Sequence, residues 1–205
     1  KASLLDRLAL DQKKIQTMAK ELREVAALAD PIGTVLATWT RPNGLIISQI
    51  RVPMGVIGVI YESRPNVTSD SAGICVKSGN AVILRGGSDA LHSNVAIGKV
   101  LRDALVPTEV PSDAVQIVNS ASRKDAEELM TMRDYIDVLV PRGGADLIRT
   151  TIEKSRIPVI ETGTGNCHVF VDADADQVKA LDILLNAKVQ RPSVCNAAET
   201  LLVHR

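Results

Sequence analysis

Apolar residues recur at helical spacing over residues 3–28, at Leu4, Leu8, Ile15, Met18, Leu22, Val25 and Leu28. They predict one helix, which Asp30-Pro31-Ile32-Gly33 brings to an end. Two β-rich runs follow, 34–40 and 45–52, divided by Arg41-Pro42-Asn43-Gly44, and read as a hairpin. Its arms mix polar and apolar positions. An isolated hairpin is marginal in water, so the pattern predicts that this one packs on something else, another subunit included.

After Pro53 the texture changes to short apolar runs at 55–61, 81–84, 115–118, 136–140 and 157–160. Stretches of helical length lie between them, at 67–77, 88–105, 122–131 and 144–154. Strand and helix alternating at this interval predict an α/β fold, with a parallel sheet covered by helices on both faces. A second unit opens with a strand at 168–171. It continues with a helix at 175–189, a loop holding Cys195 and a strand at 199–204.

Composition narrows the function. Lysine plus arginine equals aspartate plus glutamate at 24 each, and aromatic residues are 2% of the chain. That balance argues against nucleic acid or an anionic membrane as partner. It leaves Val, Ile, Leu and Ala to build the core, as in buried parallel sheets. The three cysteines, Cys75, Cys167 and Cys195, have neither metal-ligand nor disulfide-framework spacing. No apolar run reaches transmembrane length, and the opening residues show no signal core. A reducing cytoplasm is the expected setting.

Four loops fall at the carboxyl ends of the predicted strands, where open α/β sheets bind ligands: 62–66, 85–88, 141–144 and 161–165. Glycine there lets the backbone approach a phosphate, a following helix supplies free N–H groups, and arginine adds a fixed forked charge. One such glycine often does no more than make the turn. Four loops on one edge, two of them Arg-Gly-Gly, point to an anion or nucleotide site, without a G-x-G-x-x-G or Walker fingerprint. Cys195 lies in a polar segment near Arg191, and both features favour a reactive thiolate. By pattern alone, such a cysteine is more often inert. Cys75 sits in a helical pattern and reads as core, and Cys167 beside a strand reads as structural. The histidines have no partner in sequence that would make a Ser-His or Cys-His site, and His168 reads as structural.

Five segments carry a more specific signal. They are Arg51-Val-Pro-Met-Gly-Val-Ile-Gly-Val-Ile-Tyr-Glu-Ser-Arg-Pro-Asn66, Gly79-Asn-Ala-Val-Ile-Leu-Arg-Gly-Gly87, Val140-Pro-Arg-Gly-Gly144, Gly165-Asn-Cys-His168 and Gln190-Arg-Pro-Ser-Val-Cys-Asn196. In this order they resemble the gamma-glutamyl phosphate reductases, within the aldehyde dehydrogenase superfamily. The resemblance implies a Rossmann-like cofactor-binding domain over 1–162, with an oligomerisation arm at 34–52. It also implies the N-terminal part of a catalytic domain over 163–205, which in the family continues further.

The resemblance also implies roles. Cys195 matches the nucleophile, and Asn66 the asparagine that forms an oxyanion hole with a backbone N–H. Arg85, with Gly86, Gly87 and Ser88, matches the loop at the adenosine ribose. Serine at 88, where NAD-preferring relatives often carry glutamate, removes a charge that would repel a 2′-phosphate, so NADPH is expected. Arg142, Gly143 and Gly144 match the pyrophosphate loop, and Glu161, Thr162 and Gly163 the segment of the hydrolytic general base. Arg64, Arg142 and Arg191 are candidates, by charge, for the leaving phosphate. The implied reaction is NADPH-dependent reduction of L-glutamyl 5-phosphate to L-glutamate 5-semialdehyde, in proline biosynthesis. The implied partners are a second copy of the chain and, functionally, glutamate 5-kinase. Two other readings stand beside it: an oxidising NAD(P)-dependent aldehyde dehydrogenase with Glu161 as base, and a cofactor-binding or assembly module without activity of its own.

Overall fold

The computed structural model describes residues 8–161, 163, 165–192 and 194–205. The chain divides into two compact units, Lys1–Thr162 and Gly163–Arg205.

In the first unit the opening helical pattern is interrupted: residues 9–11 are not helical, and helix α1 is Gln12–Ala27. The single helix expected from residue 3 is therefore corrected, Leu4 lying outside the described residues. The reason is local. Asp11 is extended, and its Oδ1 accepts the N–H of Lys14 at 2.7 Å, satisfying a donor that a new helix leaves open. Strands β1 (Val35–Thr40) and β2 (Ile46–Ile50) form the antiparallel hairpin, with Trp39 opposite Ile47. Gly44, at φ +85°, turns it, and the N–H of Arg41 donates to the carbonyl of Leu45. Every residue of β1 is exposed, as are Leu45, Ile46 and Ile50.

Strands β3 (Val56–Tyr61), β4 (Ala81–Arg85), β5 (Val115–Ile117) and β6 (Val138–Arg142) form the parallel sheet, in the order β5-β4-β3-β6. β3 is central, with Val59 beside Leu84 on one side and Val140 on the other. Helices α2 (Asn66–Lys77), α3 (Leu91–Leu105), α4 (Arg123–Leu129) and α5 (Ala145–Lys154) complete the unit. Alternate side chains of β3 enter separate cores, as the two-residue period of a strand requires. Ile57, Val59 and Tyr61 pack with Ala72, Cys75, Val82 and Leu84, whereas Ile60 joins Leu129, Ile136, Leu139 and Ile157. Burial pushes the Cys75 thiol up to about 11, so it stays protonated and inert.

The run at 157–160 is not a regular strand. It makes one bridge, Val159 to Leu139, flanked by Leu139 N–H to Pro158 O and Ile160 N–H to Leu139 O, both 2.8 Å. Pro158 has no N–H to extend the ladder. The start of β3 is fixed from two directions. Asp137 Oδ2 accepts Val56 N–H at 2.8 Å, and Asn80 Oδ1 accepts Met54 and Gly55 N–H at 2.6 and 2.9 Å.

The second unit pairs β7 (His168–Val171) in parallel with β8 (Thr200–Val203). Helix α6 (Gln177–Val189) is capped by Asp176, whose carboxylate accepts the N–H groups of Val178 and Lys179. Phe170, Leu181, Ile183, Leu201 and Leu202 are exposed. Among the described residues, no helix is long and apolar enough to cross a membrane.

Candidate active site

Three of the four loops, 62–66, 85–88 and 141–144, meet at the carboxyl edge of the parallel sheet. The Glu62 N–H donates to Arg142 O at 3.1 Å, and Glu62 Oε1 accepts the Gly144 N–H at 2.8 Å. Gly144 is the N-cap of α5, so a carboxylate already lies where the helix offers free donors. A Cβ on Gly143 would fall 2.7 Å from the Glu62 side chain, and one on Gly87 would fall 3.1 Å from Ser63 Oγ. These glycines admit the β3–α2 loop to the edge. Glu62 was not among the site residues expected from sequence. Its only signal was its place in the Glu-Ser-Arg-Pro-Asn segment.

Arg85 ends β4, half-buried, and its Nη2 donates to the carbonyl of Ser122 at 3.0 Å. Its Nε is buried with no hydrogen-bond partner among the described residues. Burial lowers the Arg85 pKa, the nearby Asp125 opposing the shift and Arg123 adding to it. Hydrogen bonds from Ser120 and Ser122 hold Asp125 below the usual carboxylate range. Ser88, exposed, opens a one-turn 3-10 helix, Ser88–Ala90. The next residue, Asp89, was also absent from the expected site. Its carboxylate accepts hydrogen bonds from Ser63 Oγ at 3.3 Å and Ser88 Oγ at 3.4 Å. The Asp89 carboxylate is thus taken up by Ser63 and Ser88.

Asn66 is the first residue of α2 and exposed, and its Nδ2 donates to Asp70 Oδ2 at 3.0 Å. An amide nitrogen carries two hydrogens, so one donor remains. Burial raises the pKa of Asp70, against hydrogen bonds from Asn66 and Ser69 that lower it. Arg64 is half-buried in the same loop, Arg142 is exposed at the end of β6, and Glu161 is exposed after the Val159 bridge. Thr162 lies outside the described residues.

In the second unit Cys195 is exposed, in the loop that leads from α6 to β8 after Arg191. That loop is fixed from behind: Ala198 N–H donates to Ala187 O at 3.0 Å, and Lys188 Nζ to Ala198 O at 2.8 Å. The Cys167 thiol donates to the Cys195 carbonyl at 3.5 Å, and the Cys167 carbonyl accepts the N–H groups of Glu199 and Thr200. Cys167 thus supports the loop. His168 opens β7 and is exposed, and Gly163 has open space where a side chain would be. Among the described residues, no group of His, Cys, Asp and Glu is placed to hold a metal ion.

Comparison with known proteins gives this geometry a context. The model of the aldehyde dehydrogenase family matches residues 6–205. The gamma-glutamyl phosphate reductase of Thermoanaerobacter pseudethanolicus is 58% identical over 205 residues, covering 100% of this chain and 50% of that protein. That of Moorella thermoacetica is 58% identical over 202 residues, covering 98% and 48%. The crystal structure of the enzyme of that name from Thermotoga maritima superimposes with a TM-score of 0.91 at 50% identity, over 100% of this chain and 50% of that one. A propionaldehyde dehydrogenase from Rhodopseudomonas palustris, 19% identical with a TM-score of 0.73 over 98% of this chain and 48% of its own, shares the fold. The chain spans about half the length of the curated relatives it matches.

Proposed function

The chain belongs to the aldehyde dehydrogenase family, and from that membership we propose that it contributes the nucleophile and the coenzyme loops of an enzyme that reduces L-glutamyl 5-phosphate to L-glutamate 5-semialdehyde. The observation that carries this reading is Cys195, an exposed thiol on a loop whose far side is pinned by Ala187 and Lys188. The substrate comes from the name its relatives bear.

A nicotinamide coenzyme fits the carboxyl edge of the first unit. Arg85 brings a cation to this edge, its Nε without a hydrogen-bond partner among the described residues, and α5 begins there at Gly144. Arg85 and Ser88 would hold the ribose with its 2′-phosphate, which favours NADPH. Arg142, Gly143 and Gly144 would hold the pyrophosphate, and Glu161, Thr162 and Gly163 are further coenzyme-binding candidates. When bound, the coenzyme supplies hydride.

The chain's own residues do the rest. The Cys195 thiolate attacks the acyl carbon, and the free Asn66 N–H stabilises the oxyanion, a contribution of about 3 kcal/mol for one such donor. Phosphate leaves toward arginine, with Arg64 and Arg191 in that role, and a thioester remains on Cys195. After reduction, the aldehyde departs and Cys195 returns as the thiolate. In this reaction Glu161 does not act as a hydrolytic base, since hydrolysis would waste the thioester. The exposed hairpin of β1 and β2 serves assembly with further copies of the chain. Glutamate 5-kinase stands as the functional partner that yields the acyl phosphate, in a reducing cytoplasm.

The test is NADP⁺ reduction with L-glutamate 5-semialdehyde, with and without inorganic phosphate. Strict dependence on phosphate is the expected result. Equal rates without phosphate would reassign the protein to oxidation of aldehydes with Glu161 as base.

A further inference from the structure

Behind the Arg85-Gly86-Gly87-Ser88 loop runs a buried polar chain that none of the roles above uses. Tyr61 Oη lies 2.7 Å from Thr68 Oγ1, and Thr68 Oγ1 donates to Asn94 Oδ1 at 3.1 Å. Tyr61, Thr68 and Asn94 are at most 1% exposed. A threonine hydroxyl has one hydrogen, and Thr68 gives it to Asn94, so Tyr61 is the donor to Thr68. Burial pushes the Tyr61 phenol up to about 12, so it keeps that proton at any working pH. The chain thus runs in one direction, from the end of β3 through α2 to α3.

Both of its ends close on the same residue. A Cβ on Gly86 would fall 2.0 Å from Asn94 Nδ2 and 3.0 Å from the Tyr61 ring. Gly86 is therefore held between the first and last members of the chain. Asn94 Nδ2 has no hydrogen-bond partner among the described residues. Three apolar side chains of the same volume would fill this space at lower desolvation cost. What the polar chain adds is a fixed direction for each group and one arrangement of the turn.

We propose that Tyr61, Thr68 and Asn94 are positioning residues that set the Gly86 turn, and through it the placement of Arg85 and Ser88 for a ligand 2′-phosphate. The inference rests on the coenzyme reading above and adds to it three specificity-determining residues that never touch the ligand. Thr68→Val removes the central hydroxyl at nearly constant shape, and Thr68→Ser keeps it.

The experiment is calorimetric titration of native, T68V and T68S protein with 2′,5′-ADP and with 5′-AMP, beside a thermal melt of each. The expected result is that T68V loses about fivefold of the native preference for 2′,5′-ADP, while T68S keeps it. An undiminished preference in T68V, or an equal loss for both ligands, would make the chain a structural element only and overturn the inference. A native protein without any preference would overturn the NADPH reading itself, and this inference with it. Should T68V fail to fold, Tyr61→Phe, which leaves the Thr68–Asn94 bond in place, decides by the same criterion.

Discussion

β3 with β4, and β7 with β8, are both parallel pairs of short apolar strands, yet they lie in opposite surroundings. Five of the six residues of β3 are buried, whereas β8 is exposed at Leu201, Leu202 and Val203. The sequences are equally apolar. What differs is the layers: β3 has a neighbour on each edge and a separate core on each face, and among the described residues β7 and β8 have only one another as strand neighbours. A parallel strand is apolar on both faces because both are meant to be covered, and among the described residues only the first unit supplies that cover.

The largest effect that would break this contrast is in the cores. Leu139→Ala is expected to lower the urea-unfolding free energy of the first unit by about 2–5 kcal/mol, because a fully buried leucine leaves a cavity. Leu202→Ala, at 48% exposure, is expected to stay within about 0.5 kcal/mol. Equal losses would refute the contrast. A smaller effect concerns the edge loops. Glu62→Gln removes the carboxylate at the α5 N-terminus and is expected to tighten 2′,5′-ADP or pyrophosphate binding about threefold, read by calorimetry. Weaker binding would make Glu62 a support of the loop and not a competitor for it.

The smallest effect is a pH dependence. Burial raises the folded-state pKa of Asp70 above its unfolded value. Its contribution to stability is therefore fully present below the unfolded pKa, near about 4, and is lost as pH rises through the folded value. Asp70→Asn removes that loss. The variant is expected to match native stability in acid and to exceed it, by less than about 2 °C in Tm, above that window. A gain confined to acid would show the opposite sign and contradict it.

The sheet was legible because each buried strand is a compact apolar run bounded by turn residues, and the hairpin because Asn43-Gly44 carries its own turn chemistry. The end of the expected sheet at 157–160 was misread, since Val159 and Ile160 look like strand while Pro158 cannot donate to a ladder. The start of α1 was hidden because Asp11, a cap, looks like any polar residue on a helix face. Of the candidate site, the glycine loops and Cys195 were marked by residue type and position. Glu62 and Asp89 were not, because their meaning lies in what they touch: Gly144, 82 residues away, and Ser63, 26 away. The Tyr61–Thr68–Asn94 chain joins three elements through side chains alone and leaves no periodic trace.

The central claim is that Cys195 carries the acyl group. Its most direct test is peptide mapping after incubation with L-glutamate 5-semialdehyde and NADP⁺ in the absence of phosphate, where a thioester should accumulate. The account predicts a hydroxylamine-labile acyl adduct on the Cys195 peptide that added phosphate discharges. An adduct on Cys167 instead, or turnover with no adduct on any cysteine, would contradict it.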